Sequence, residues 1–147
     1  MHILVLNGPN LNLLGEREPE IYGHATLEEI LSELMTLAGS LGAELRCIQS
    51  NHEGILIDTL QNNRHWFDAI IFNPGAFTHY SYALRDAVAG TKKPMIEVHL
   101  SDLSKREAFR QHSVFDGLSN VTRIMGYGAE GYTMALQTLV STTPEKQ

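Results

Sequence analysis

Five short apolar, β-rich segments alternate with longer segments that carry apolar side chains at helical spacing, and this alternation strongly limits how the chain can fold. Strands that alternate with helices normally build a parallel sheet covered by helices on both faces. At 147 residues, the chain has the size of one ordinary domain. We therefore predict an α/β fold, a doubly wound five-stranded parallel sheet, in a single domain over residues 1–147. The predicted strands are 2–6, 43–49, 68–72, 94–98 and 120–125.

The intervening segments predict helices. Thr26 and Glu29 have the spacing of a capping box, which predicts that the first helix begins after Thr26 and ends near Gly42. Ser104 is predicted to cap a short helix over 105–112. Residues 141–147 form a polar tail that is expected to fray. The other predicted helices are 53–65, 79–89 and 131–140.

The predicted strand order places polar side chains at one rim of the sheet. With five strands, the commonest doubly wound order is the flavodoxin-like 2-1-3-4-5, and ligands bind beyond the carboxyl ends of the strands beside strand one. Asn7 follows the first strand, Asn73 follows the third, and Glu97, His99 and Ser101 lie at the end of the fourth. These three strands are adjacent in that order, so we predict a functional site at this rim.

The connection over residues 7–23 is much longer than the ~2–6 residues usual in αβ units, which suggests a binding loop or lid. Gly15 and Gly23 bracket Arg17 and Tyr22, so residues 15–23 are predicted to form a lid hinged at its glycines. Tyrosine is a poor base at neutral pH unless nearby cations favour its phenolate, and Arg17 is suited to that role. Lid closure over substrate is expected to bring Arg17 to Tyr22.

A second pair of ionisable side chains occurs at the end of strand four. Glu97 and His99 are two residues apart on an extended segment and therefore point to the same face. This spacing predicts that Glu97 orients His99 and holds it protonated as a general acid.

Composition argues against several classes of partner. A formal net charge of −6 disfavours nucleic acids and anionic membranes, which reward basic surfaces. No segment approaches the ~18 apolar residues that cross a bilayer, and no signal peptide precedes the first strand, so a cytoplasmic protein is expected. The single Cys47 cannot form an intramolecular disulfide.

Three further motifs carry little functional weight. Gly126, Gly128 and Gly131 match the dinucleotide pattern, but no later strand supplies the acidic residue expected ~20 positions on, so close helix–strand packing is the preferred interpretation. The histidines lack HxH or HExxH spacing, and we predict no metal. Ser81 and Ser101 lack the Gly-x-Ser-x-Gly elbow of a hydrolase.

Five segments of the chain are distinctive: NGPNLNLLGEREPEIYG, SNHEG, NPGAFTHYSYALRDA, EVHLSDLSKREAFRQHS and GYGAEGY. Together they closely resemble type II 3-dehydroquinate dehydratases, nearly from end to end. The resemblance implies a flavodoxin-like fold, no cofactor, and a dodecamer built from trimers. It also implies dehydration of 3-dehydroquinate to 3-dehydroshikimate by anti elimination through an enolate, in the shikimate pathway or in quinate breakdown.

The resemblance also implies residue roles. Tyr22 corresponds to the base that removes the proton alpha to the ketone, and Arg17 to the cation that favours its phenolate. Asn10 corresponds to the residue that stabilises the enolate oxygen. His99 corresponds to the general acid and Glu97 to its orienting partner. The implied substrate-binding set is Asn73, His79, Asp86, Arg110 and the backbone of Leu100 and Ser101, with Asp86 acting across a subunit interface.

The chain departs from the family pattern at Phe77, Ile55, Phe115 and Asp116. None of these positions carries an implied catalytic role, although they bear on subunit packing. Two alternatives stay open at this point: a flavodoxin-like binding module without catalytic activity, and an enzyme acting on a related cyclic hydroxy acid.

Overall fold

Five parallel strands form one sheet in the computed structural model, which describes residues 1–143. The strands are β1 His2–Asn7, β2 Glu44–Gln49, β3 Ala69–Asn73, β4 Met95–His99 and β5 Val121–Met125. Their order along the sheet is β2-β1-β3-β4-β5, so the predicted fold class and strand order are confirmed. The strands β1, β3 and β4 are almost wholly buried, because helices cover both faces of the sheet.

Helices divide the core into two apolar clusters, one on each face of the sheet. The longest helix begins as predicted, because Thr26 Oγ1 accepts a hydrogen bond from the Glu29 amide at 3.2 Å. The helices are α1 Pro19–Tyr22, α2 Leu27–Ser40, α3 Glu53–Asn62, α4 Tyr82–Thr91 and α5 Glu130–Thr142. Helices α2 and α5 pack together on one face of the sheet, while α3 and α4 pack together on the other.

Several helix bounds differ from the prediction. The segment 79–89 was predicted as one helix, but a 3-10 helix over Gly75–His79 comes first. Helix α4 follows it and is capped by Ser81, whose hydroxyl accepts a hydrogen bond from the Leu84 amide at 3.1 Å. Helix α5 ends at Thr142 and so includes the start of the predicted tail. Residues 144–147 of that tail lie outside the described residues.

The predicted helix over 105–112 is wrong, because the chain forms two separate 3-10 turns there, Leu103–Lys105 and Ala108–Arg110. The capping residue is Asp102 rather than Ser104, since the Asp102 carboxylate accepts from the Ser104 amide at 3.0 Å. Arg106 interrupts the helix with an extended backbone, at φ −95° and ψ −179°. Its side chain bonds to groups on other segments, and these tertiary contacts override the local helix propensity.

The loops after β1 and β3 touch closely at the rim. The Gly8 amide donates to the Asn73 carbonyl at 2.8 Å, and a Cβ at Gly8 would lie 2.2 Å from the Pro74 carbonyl oxygen. Only glycine allows this approach, which brings the two loops to one site. Within residues 1–143, no helix combines the length and apolarity needed to cross a membrane.

Candidate active site

A cleft of about 210 Å³ opens at the carboxyl ends of β1, β3 and β4, at the rim where the strand order predicted a site. Most of the predicted site residues line it. The exceptions are Glu97, which lies buried behind His99, and Asp86, which lies elsewhere. The predicted residues that line the cleft are Asn10, Arg17, Tyr22, Asn73, His79, His99, Leu100, Ser101 and Arg110.

Glu97 and His99 form a direct pair at the end of β4. Nε2 of His99 lies 2.5 Å from Oε2 of Glu97. An ionised carboxylate only accepts hydrogen bonds, so Nε2 carries the proton of this bond and Nδ1 is the other ring nitrogen. Two hydroxyls also donate to Glu97: Thr78 to Oε2 at 2.8 Å and Ser113 to Oε1 at 2.9 Å.

The Glu97 carboxylate is fully buried, at 0% exposure, and yet ionised. Burial alone would raise its pKa, but the hydrogen bond from His99, the charges on His99 and Arg123, and the Thr78 hydroxyl lower the pKa to about 2. Buried carboxylates are stable as anions only when such partners are present. Glu97 is therefore a fixed negative charge beneath the imidazole of His99.

Two arginines flank Tyr22 on the other side of the cleft. Arg106 Nη1 lies 3.3 Å from the Tyr22 phenol oxygen and also donates to Ser101 Oγ at 3.1 Å. The hydrogen bond to Tyr22 raises the pKa of Arg106. The guanidinium carbon of Arg17 lies 5.4 Å from the centroid of the Tyr22 ring. Arg17 therefore lies near the aromatic ring, while Arg106 contacts the phenol oxygen itself.

The loop after β1 is held in shape by hydrogen bonds to Gln49 and Asn51, at the end of β2 and just after it. Asn10 has a left-handed backbone, with φ 68°, and its amide donates to Asn51 Oδ1 at 3.0 Å. Asparagine tolerates this conformation better than most residues. Gln49 reaches the same loop and donates to the Gly8 carbonyl at 3.2 Å. These contacts hold Asn10 at the mouth of the cleft.

Asn73 is oriented by a buried hydrogen-bond chain. Its Nδ2 donates to the Tyr132 hydroxyl at 3.1 Å, and that hydroxyl donates to Asn7 Oδ1 at 2.6 Å. Asn73 Oδ1 accepts from the Gly75 amide at 3.1 Å. Tyr132 is fully buried on α5, so a helix beneath the sheet fixes the amide of a residue that lines the cleft.

His79 and Arg110 also line the cleft and contribute an imidazole and a guanidinium to it. His79 Nδ1 lies 2.7 Å from the His112 carbonyl oxygen. Burial lowers the pKa of His79, and the charges of His99 and Arg110 lower it further. Arg110 Nε lies 2.9 Å from a Glu107 carboxylate oxygen.

The glycine motif of residues 126–131 donates hydrogen bonds to the end of β4 and packs against that strand. The Gly126 amide donates to the His99 carbonyl at 3.2 Å, and the Gly128 amide donates to the Leu100 carbonyl at 3.0 Å. A Cβ at Gly131 would lie 3.2 Å from Val98 Cγ1. These contacts agree with the interpretation that the glycines serve close packing.

Asp86 does not join the cleft of its own chain. It is exposed on α4 and lines a separate groove with Leu60 and Arg64. Its predicted action across a subunit interface stays a prediction.

The sequence did not predict the residues that contact the Tyr22 phenol and the Glu97 carboxylate. The one signal for Arg106 is that it is an arginine four residues before Arg110, but the helix on which the two would share a face does not form. Thr78, Ser113 and Arg123 had no such signal, since their contact with Glu97 depends on how distant loops fold.

The family model described as "Dehydroquinase class II" matches residues 1–140. The chain belongs to the class II dehydroquinase family. The resemblance predicted from its motifs is thereby confirmed. The 3-dehydroquinate dehydratase of Pelotomaculum thermopropionicum is 57% identical over 137 residues, which are 93% of this chain and 94% of that protein. The 3-dehydroquinate dehydratase of Bacillus pumilus is 51% identical over 140 residues, 95% of each chain.

A solved structure of a class II family member has the same fold. The type II dehydroquinase from Butyrivibrio crossotus superposes with a TM-score of 0.91 at 47% identity, covering 95% of this chain and 97% of that one. The likeness therefore extends over nearly the whole chain.

Proposed function

We propose that this chain is a 3-dehydroquinate dehydratase that forms 3-dehydroshikimate by anti elimination of water through an enolate, without metal or cofactor. One observation carries the proposal: the cleft of this class II dehydroquinase has a phenol flanked by two arginines and, on another wall, an imidazole backed by a buried carboxylate. A base and an acid that meet in one cleft suit the removal of a proton and a hydroxyl from the same ring.

Tyr22 acts as the base. Arg106, 3.3 Å from the phenol oxygen, and Arg17, beside the ring, place positive charge where the phenolate forms. Opposite charge within a few ångströms favours the ionised form of a group. The phenolate takes the proton alpha to the ketone and leaves an enolate.

Asn10 stabilises the enolate oxygen from the mouth of the cleft, directly or through a water molecule. Its left-handed backbone and its bond to Asn51 fix its position before substrate arrives. Preorganised donors aimed at a developing oxyanion are worth about 3 kcal/mol each.

His99 acts as the acid. Its Nε2 is held by Glu97 at 2.5 Å, so the proton that it gives to the departing hydroxyl comes from Nδ1. The carbon–oxygen bond breaks as that proton arrives, and water leaves. The Glu97 anion orients the imidazole and offsets the charge of its protonated form.

The remaining residues bind the ring hydroxyls and the carboxylate of the substrate. In a chain with a formal net charge of −6, an anionic acid needs local positive charge, and Arg17, Arg106 and Arg110 supply it. No lysine is among the described residues that line the cleft, which disfavours a route through an imine. The binding set is Asn73, His79, Arg110, the backbone of Leu100 and Ser101, and Asp86 from a neighbouring subunit of a cytoplasmic dodecamer built from trimers.

The test is a direct assay of the variant Tyr22→Phe. Purified protein with chelator present is given 3-dehydroquinate, and the ultraviolet absorbance of the enone product is followed. Wild type is expected to turn over and Tyr22→Phe to lose at least 10²-fold in kcat, on the scale typical of a general base, roughly 10²–10⁴. The matched control Tyr127→Phe, an exposed tyrosine outside the cleft, keeps wild-type rates. Wild-type rates in Tyr22→Phe would exclude Tyr22 as the base, and an inactive wild type that binds the compound would favour a binding module.

A further inference from the structure

Arg123 lies on β5 directly beside Glu97. The register of β4 and β5 pairs the two residues as Cα partners. Paired residues on neighbouring strands project to the same side of a sheet, so their side chains meet. Arg123 Nε lies 3.3 Å from Glu97 Oε1, and Arg123 Nη2 bonds to the carboxylate of Asp116. Arg123 does not line the cleft.

The two oxygens of Glu97 thus face different cations. Oε2 is bonded by His99 and Thr78, while Oε1 accepts from Ser113 and faces Arg123. His79 is a further titratable group that interacts electrostatically with Glu97. Asp116 forms an ion pair with Arg123. Glu97 is therefore wholly buried between Arg123 and His99, which is the protonated acid in the proposed reaction.

One of those two positive charges disappears during the proposed reaction. When His99 gives its proton to the departing hydroxyl, the imidazole becomes neutral. Without Arg123, Glu97 would then be a buried carboxylate with no cation beside it, which is a costly state. It would tend to take the Nε2 proton of His99, and the neutral imidazole left behind is a weaker acid at Nδ1. Arg123 keeps its charge at every step, because a guanidinium stays protonated in proteins.

We propose that Arg123 is a positioning residue for the acid step, anchored by Asp116, which keeps Glu97 anionic while His99 gives up its proton. This inference rests on the proposed role of His99 as the acid. The part that concerns Glu97 itself does not require dehydratase activity and can be tested without it.

The first test follows the Glu97 carboxyl directly. Protein labelled with ¹³C at glutamate carboxyl carbons is titrated by NMR, and the Glu97 signal is assigned from its absence in Glu97→Gln. In wild type the carboxyl stays ionised as the pH falls to about 2 or until the fold is lost. In Arg123→Gln it is expected to titrate at least one pH unit higher, whereas Arg123→Lys stays nearer to wild type. The control is Arg46→Gln, an exposed arginine on β2. Equal titration in wild type and Arg123→Gln overturns the proposal.

The second test separates the acid step from the base step. Exchange of the alpha proton with deuterated solvent reports enolate formation, and enone absorbance reports loss of water. Arg123→Gln is expected to lower kcat for dehydration roughly 3- to 30-fold, to change KM less than about 3-fold, and to raise the ratio of exchange to dehydration. Arg123→Lys recovers much of the loss. An unchanged ratio in Arg123→Gln overturns the role in the acid step, even where the NMR titration moves.

A third measurement keeps the proposal testable if Arg123→Gln unfolds. Removal of one partner from a buried ion pair leaves the other uncompensated, so the loss of stability should depend on Glu97. The double variant Glu97→Gln, Arg123→Gln is expected to regain most of the stability that Arg123→Gln loses, measured as the urea midpoint. If the double variant is as unstable as the single one, Arg123 serves packing rather than the charge of Glu97.

Discussion

Glu97 and His99 project from the same strand, two residues apart, with Nε2 of His99 2.5 Å from Oε2 of Glu97. Both side chains are almost wholly buried, at 0% and 5% exposure. The pair is therefore held by a central strand of the sheet rather than by a mobile loop. Groups on rigid elements hold their geometry more precisely, which suits a proton donor.

The variant His99→Ala should separate enolate formation from loss of water. With the base intact, the alpha proton still exchanges with solvent, while dehydration falls by about 10²–10⁴-fold, as is usual when a general acid is removed. Deuterium incorporation followed by NMR, together with enone absorbance, measures both steps. His65→Ala, an exposed histidine outside the cleft, is the matched control. Parallel loss of exchange and dehydration would show that His99 is needed before the acid step.

Folding stability should depend on pH through Glu97. Its pKa is lowered from the ordinary 4.5 to about 2, so the anion stabilises the folded chain above pH 4.5. That stability is lost as the pH falls from about 4.5 to about 2, because the unfolded chain then binds a proton that the folded chain does not. The contribution is on the order of 3 kcal/mol. Urea unfolding at pH 3 and at pH 6 should show about 2 kcal/mol of it, since the loss is not complete at pH 3, and the difference should be much smaller in Glu97→Gln. An equal difference in both proteins would assign the acid sensitivity to other groups.

Arg106→Gln should impair the base more than it impairs binding. Loss of the cation 3.3 Å from the Tyr22 oxygen disfavours the phenolate, so the acid-side limb of the pH–rate profile should move to higher pH and kcat at neutral pH should fall. Arg17→Gln should shift the same limb, since Arg17 lies beside the ring. Steady-state kinetics between pH 5 and pH 10 compare the two variants with Arg46→Gln. An unshifted limb in Arg106→Gln would leave Arg17 as the cation that serves Tyr22.

The rim of the sheet could be predicted from sequence because strand order and strand ends follow from local patterns. Glu97 and His99 share a face by the period of a strand alone, and the structure brings them together as expected. The arginines that contact Tyr22 and Glu97 could not be predicted in the same way. Arg106 reaches Tyr22 only because its backbone is extended between two 3-10 turns, where local periodicity indicated a helix. Arg123 reaches Glu97 through a strand register that no short motif encodes.

Tyr132→Phe should weaken substrate binding from beneath the sheet. The variant removes a hydroxyl that accepts from Asn73 Nδ2 at 3.1 Å and donates to Asn7 Oδ1 at 2.6 Å. Asn73 Nδ2 and Asn7 Oδ1 then lose this buried partner, at a cost of about 1–3 kcal/mol in the free energy of unfolding. Freed from this bond, the Asn73 amide is expected to bind the ring less well, so KM rises several-fold while kcat changes less. Urea unfolding and steady-state kinetics measure both effects against Tyr127→Phe, whose hydroxyl is on an exposed side chain. A stability loss with unchanged KM would show that Tyr132 supports the fold without orienting Asn73.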